Sequence, residues 1–109
     1  MPFARDFGLC NQIRRAACSI VSNIAEGEER DTNRESVHFF HIAKGSAAEV
    51  ISQLNIACRI GYIDESTLQM LENQTERISA PLKNLIKNRG GGNPLNLLTW
   101  FVISLLKPL

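Results

Sequence analysis

Aromatic residues are scarce: five phenylalanines, one tyrosine and one tryptophan amount to 6% of the chain. Glycine is clustered rather than placed at regular turn intervals. Neither pattern fits a β-sandwich, which needs turn signals every 8–12 residues or so and strands rich in β-branched and aromatic side chains. An excess of one charge is also missing. With 12 basic and 11 acidic residues the net charge is +1, so overall charge neither supports nor excludes an RNA partner. Cysteine is limited to Cys10, Cys18 and Cys58. An odd count without CxxC spacing excludes a disulfide framework and a zinc ribbon, and it reads as reduced, buried thiols in a cytosolic protein. No apolar run reaches the roughly 18 residues of a spanning helix, and residues 1–8 lack the apolar core of a signal peptide. The expected location is therefore cytoplasmic, with no transmembrane span.

Catalytic motifs are absent too. Ser19 has no histidine at helical spacing, which a nucleophile would require. Gly90, Gly91 and Gly92 precede a helix start, but the P-loop lysine and the preceding strand are missing. His38 and His41 stand three apart with Glu35 three before them. That spacing can bring imidazoles together, yet no third ligand is evident and a metal site needs one. The expectation is a protein that is not an enzyme and has no cofactor or metal.

What is present is helical periodicity. The chain of 109 residues, 44% hydrophobic and 21% charged, has the length of one domain with a modest core. Its most informative stretch is residues 12–27, QIRRAACSIVSNIAEG. Ile13, Ala17, Ile20 and Ile24 step by three and four, which places them on one face, with Cys10 and Ala16 extending it. Arg15, Ser19, Asn23 and Glu26 repeat in the same way on what reads as the far side. Small and amide side chains are unusual filling for a solvent face. They read either as ordinary solvated residues or as a polar contact surface. Gly27 is expected to end this helix in a left-handed cap, giving a helix over about 9–26 and a charged link over 28–31.

The second helix is expected to run from a cap at Thr32 or Asp31, with Glu35 completing a capping-box pattern, to about Ile60. Its core stripe reads Phe40, Ala43, Ala47, Ile51, Leu54 and Cys58, broadened by Phe39, Val50 and Ala57. Gly61 closes it, with Tyr62 and Ile63 as the hydrophobic contact beyond the cap. Gly45 falls mid-helix, where glycine costs about 1 kcal/mol relative to alanine. Close approach of another backbone, or a kink, would explain it. Ile42, Glu49 and Ile56 lie away from the core stripe beside that glycine and point to a second packing surface. The third helix starts at Asp64 or Ser66 and presents Leu68, Leu71, Thr75, Ile78, Leu82 and Leu85, with a kink or break expected before Pro81. Residues 88–93 read as a flexible linker. Residues 94–106 form an expected short helix, apolar nearly all round, between the start signal Asn93-Pro94 and the stop signal Lys107-Pro108.

The ordered set Gln12-Ile13-Arg14-Arg15-Ala16-Ala17, Ser19-Ile20, Asn23-Ile24-Ala25-Glu26-Gly27, then Arg30, Phe39, Ile42-Ala43-Lys44-Gly45-Ser46, Glu49, Leu54 and Gly61-Tyr62-Ile63 resembles a bacterial family. These are the four-helix-bundle proteins encoded in intervening sequences of the 23S ribosomal RNA gene, sometimes labelled ribosomal proteins. The similarity runs over about residues 3–85. It implies an all-α, up-and-down antiparallel bundle, a ring-shaped homopentamer and no established enzymatic activity. A related accessory protein of diversity-generating retroelements works with a reverse transcriptase and nucleic acid, so the resemblance extends to RNA association. Arg15, Ser19, Asn23, Glu26, Gly27, Gly45, Ser46 and Glu49 occupy the family's recurring positions, with structural or interface roles implied.

Family members carry a further helix upstream of the loop that Met1-Pro2-Phe3 resembles. The expectation is thus three family helices in a domain over 1–88 without the first helix, followed by the linker and tail over 89–109. That departure would fit a truncated reading frame, or a tail that partly replaces the missing helix. An Arg15–Glu49 ion pair at a helix or subunit seam is expected. Candidate nucleic-acid contacts are Arg14, Arg30, Arg34, Lys44 and Arg59. Arg77, Lys83, Lys87, Arg89 and Lys107 form a further basic strip, with no acid after Glu76. The alternative partner is another protein.

Overall fold

The structure, a computed structural model, describes residues 6–88. The expected linker and the apolar segment 94–106 lie outside the described residues. The fold is all-α, with α1 (Phe7–Glu29), α2 (Asn33–Arg59) and α3 (Glu65–Asn88) and no strand among the described residues. The short links, residues 30–32 and 60–64, turn each helix back on its predecessor, so neighbours run antiparallel. α2 is central: α1 packs along it and so does α3.

Each boundary has a local cause. α1 starts earlier than its apolar stripe because the Asp6 carboxylate accepts the Leu9 N–H at 3.0 Å, satisfying one of the free donors of the first turn. It also ends later than expected. Gly27 does not cap it but lies inside the helix, buried against the Phe40 ring. α2 starts at Thr32, whose hydroxyl accepts the Glu35 N–H at 3.2 Å and donates to the Glu35 carboxylate at 3.3 Å. At its far end Gly61 takes φ +85°, a conformation open to glycine at little cost. The Tyr62 N–H then reaches the Ala57 carbonyl at 2.9 Å and the Gly61 N–H the Cys58 carbonyl at 3.0 Å, the paired bonds of a Schellman cap.

Asp64, not Ser66, caps α3, accepting the Thr67 N–H at 2.7 Å and the Ser66 hydroxyl at 3.0 Å. The Thr67 backbone bond, then the side-chain donors, hold its carboxyl below the ordinary aspartate range. This stabilisation is complete above pH about 4 and is lost as pH falls through the depressed folded value. Asp64→Asn is therefore expected to flatten the acid side of the stability profile, read as thermal midpoints from neutral pH downward. α3 is not broken at Pro81, which lies within it. The missing proline N–H leaves the Arg77 carbonyl without its usual i+4 donor, and packing of Ile78, Leu82 and Leu85 carries the helix through.

The core holds the α1 stripe Cys10, Ile13, Ala17, Ile20 and Ile24 as expected, and the whole α3 stripe. Thr75, fully buried, donates its hydroxyl to the Leu71 carbonyl at 2.8 Å, which removes the penalty of a polar atom there. On α2 the later half of the stripe differs. Val50 and Ala57 are the buried residues, while Ile51 and Cys58 are half-buried. Asn55, beside them, donates to Glu72 of α3 at 2.8 Å, so this flank of α2 faces α3.

Candidate interface groove

The middle of the α1 polar stripe, Ser19 and Asn23, is turned toward α2, while Arg15 and Glu26 at its ends are exposed. Ser19 is half-buried and its hydroxyl lies 2.8 Å from that of Ser46 on α2. The Asn23 amide donates to the Ser19 carbonyl at 2.8 Å and to its hydroxyl at 2.9 Å. Small side chains let the two helices approach here, and the hydroxyl pair satisfies groups that burial would otherwise penalise. Above this seam opens a groove of about 460 Å³ lined by Gln12, Arg15, Ala16, Ser19, Ile42, Ser46, Glu49 and Gln53. Arg15 and Glu49 share the groove from opposite helices, but the expected ion pair is not formed; among the described residues the ion pair is Glu26–Arg30, one turn apart on α1's end. The Gln53 side-chain oxygen is buried with no hydrogen-bond partner among the described residues.

Beside the groove, α2 presents Ile42 at 39% exposure and Ile56 at 48%, with Gly45 and Glu49 between them on the same outward stripe. Gly45 is exposed, and no heavy atom among the described residues would stand within 4 Å of a Cβ added there. The close approach expected at this glycine is not made within the chain. It is Gly27 that lies against another helix, at the Phe40 ring.

The cations proposed for nucleic acid are not gathered into one patch. Arg34, Lys44 and Arg59 are exposed and spaced along α2, over about 37 Å at 1.5 Å per residue. Arg14 is half-buried, its Nε without a partner among the described residues. Arg30 is engaged, bonding to Glu26 and placing its guanidinium 4.9 Å from the Phe39 ring centroid. Arg77, Lys83 and Lys87 are exposed on α3, while Arg89 and Lys107 lie outside the described residues.

No disulfide joins the three cysteines, and only Cys10 is fully buried; Cys18 is exposed and Cys58 half-buried. Cys18 sits on the flank of α1, outside the arc its apolar neighbours share. Burial pushes the Cys10 thiol up, and Cys58 is raised by burial and then by Glu65. His38 and His41 are exposed, and no cluster of His, Cys, Asp or Glu suited to a metal occurs among the described residues. No helix there is long and apolar enough to cross a membrane.

One link had no local signal in the sequence. The Tyr62 hydroxyl donates to Asp6 at 3.1 Å, tying the start of α1 to the turn after α2. That bond, more than burial, raises the phenol above its ordinary value. The bond stabilises the fold fully below pH about 10 and is lost as pH rises through the folded value. Tyr62 is the sole tyrosine, so its phenolate absorbance can be titrated directly. Asp6→Ala is expected to bring the midpoint down toward the ordinary value.

The sequence profile of the 23S rRNA-intervening sequence proteins matches residues 1–84. No curated protein and no solved structure matches the chain.

Proposed function

The chain belongs to the 23S rRNA-intervening sequence protein family, and we propose that it works as a non-catalytic, self-assembling helical bundle whose outward α2 face is the seam between copies. The observation that carries this is Gly45. A glycine in the middle of an exposed helical face costs about 1 kcal/mol against alanine, and nothing in the described chain uses the space it leaves. Exposed Ile42 and Ile56 flank it, and Arg15 and Glu49 stand unpaired in the adjoining groove. A second copy would cover the isoleucines, approach closely at the glycine and pair the two charges across the seam.

Light scattering on the full chain tests this. The expected mass exceeds the monomer's, and Gly45→Trp, which meets no obstacle inside the protomer, is expected to give a monomer of unchanged helicity. A monomeric wild-type mass at high concentration would overturn the reading.

Nucleic acid is the partner we propose for the assembly, supported by Arg34, Lys44 and Arg59 spaced along one helix with free side chains. Repetition of that row by assembly would multiply weak phosphate contacts. Binding to ribosomal RNA fragments should weaken steeply with salt, because each neutralised phosphate releases counterions. Arg34→Ala and Arg59→Ala should each reduce the salt slope by about 1. Absence of binding at low salt would favour a protein partner instead.

A further inference from the structure

Arg15 of α1 and Glu49 of α2 line one groove. Both are exposed, and neither joins an ion pair among the described residues. Each stands in a row of positions turned the same way. At 100° per residue, Gly8, Ser22 and Glu26 lie within about 20° of Arg15, and His38, Ile42 and Ile56 within about 20° of Glu49. All six are exposed. The fully buried Ile20 and Ile24 lie about 140–180° around α1 from Arg15, and Ala47 and Leu54 about 140–160° around α2 from Glu49. The two rows therefore form one face, on the side of the α1–α2 pair away from the core. The Ser19–Ser46 contact at 2.8 Å fixes their register. Because the helices are antiparallel, each step up α1 is a step down α2. To within a residue, Arg15 is level with Glu49, Ser22 with Ile42, and residues 8–11 with Ile56.

We propose that two copies join through this face about a two-fold axis parallel to the helices, so that α2 of each lies on α1 of the other and Arg15 pairs with the partner's Glu49 at two places. The pairing rests on the outward α2 face being the seam between copies. Rotation about such an axis exchanges α1 and α2 across the interface and keeps their levels and directions. It sets a cation opposite an anion twice, and it makes every neighbouring pair of helices antiparallel, as in an up-and-down bundle. The partner's Ile42 then comes over Ser22, and its Ile56 over residues 8–11, where Gly8 has no side chain. Its Gly45 comes over Ser19, so small residues meet where the helices approach. A two-fold perpendicular to the helices and centred on the same groove would lay each helix on its own copy. It would oppose Arg15 to Arg15 and Glu49 to Glu49, and like charges so placed are costly. The face is thus self-complementary in one arrangement, and a self-complementary interface closes at two chains.

Charge inversion in the full chain tests this, with mass read by analytical ultracentrifugation and helicity checked by far-UV circular dichroism. Arg15→Glu and Glu49→Arg each set like charges opposite one another at both places. Each alone is expected to weaken self-association at least about 100-fold with helicity retained. Mixed in equal amounts the two variants are complementary at both places, and the expected species is a 1:1 dimer as tight as the wild type's. The variant carrying both changes is expected to self-associate again. If the wild type assembles while the mixture stays monomeric, the pairing is overturned and the α2 seam stands. Single variants that assemble like the wild type would lead to the same conclusion. A mixed species of more than two chains would overturn the two-fold axis. A wild type that is monomeric at every concentration would remove the seam itself, and the pairing with it.

Discussion

Phe40→Ala is expected to remove about 3–5 kcal/mol of stability, the range for truncating a buried aromatic ring. The ring is 1% exposed and is the largest fully buried side chain among the described residues. It enters the bundle near the start of α2 and lies against the α1 backbone at Gly27. Gly27, which faces the ring, has no side chain with which to fill the space. Removing the ring therefore costs both its transfer free energy and a residual cavity. A small domain has only about 5–15 kcal/mol in total, so the variant should sit close to its unfolding midpoint. Urea unfolding followed by far-UV circular dichroism measures the effect. A lower midpoint with an unchanged slope identifies lost stability rather than a changed unfolded state. A loss below about 1 kcal/mol would mean that the pocket between α1 and α2 is not closed around the ring.

Among the described residues the number and order of the helices and most of the core were legible in the sequence, because a stripe of apolar residues at three- and four-residue steps has one physical explanation. The α1 and α3 stripes are of this kind. The α2 stripe was harder to read past Ala47. Two continuations, Ile51-Leu54-Cys58 and Val50-Leu54-Ala57, both obey helical spacing. The reason is that α2 packs on a helix to either side, so its apolar arc is wider than one stripe. Periodicity reveals such an arc but not which neighbour lies at which edge. The groove was half legible. Ser19 and Asn23 stood out as odd for a solvent face, and Gly45-Ser46 as odd for mid-helix, but that Ser19 and Ser46 meet depends on the register between two helices. Arg15 and Glu49 show the converse: the sequence offered a plausible pair, and the same register leaves them apart within the protomer. Asp6 and Tyr62, 56 residues apart, could not have been paired from local pattern at all.

The close approach expected at Gly45 is made within the chain at Gly27 instead, again a matter of register between helices, and this gives the second large effect. Gly27→Ala is expected to destabilise the protein by about 1–3 kcal/mol, the range for overpacking a core. In an exposed helix the same change would stabilise by about 1 kcal/mol. The sign reverses because a Cβ at Gly27 would stand 2.7 Å from Cδ1 and 3.1 Å from Cζ of Phe40. A rigid ring held on all sides cannot yield as the tip of a flexible side chain can. Destabilisation alone would not separate this contact from a left-handed cap at the same residue, since alanine is unfavourable there too. The double-mutant cycle with Phe40→Leu does separate them. If the clash is with the ring, the cost of Gly27→Ala should shrink once leucine leaves room, giving a coupling within the roughly 0.5–3 kcal/mol seen for residues in contact. A backbone cap has no reason to sense residue 40, so an additive cycle would return Gly27 to that role and detach the Phe40 pocket from the α1 backbone.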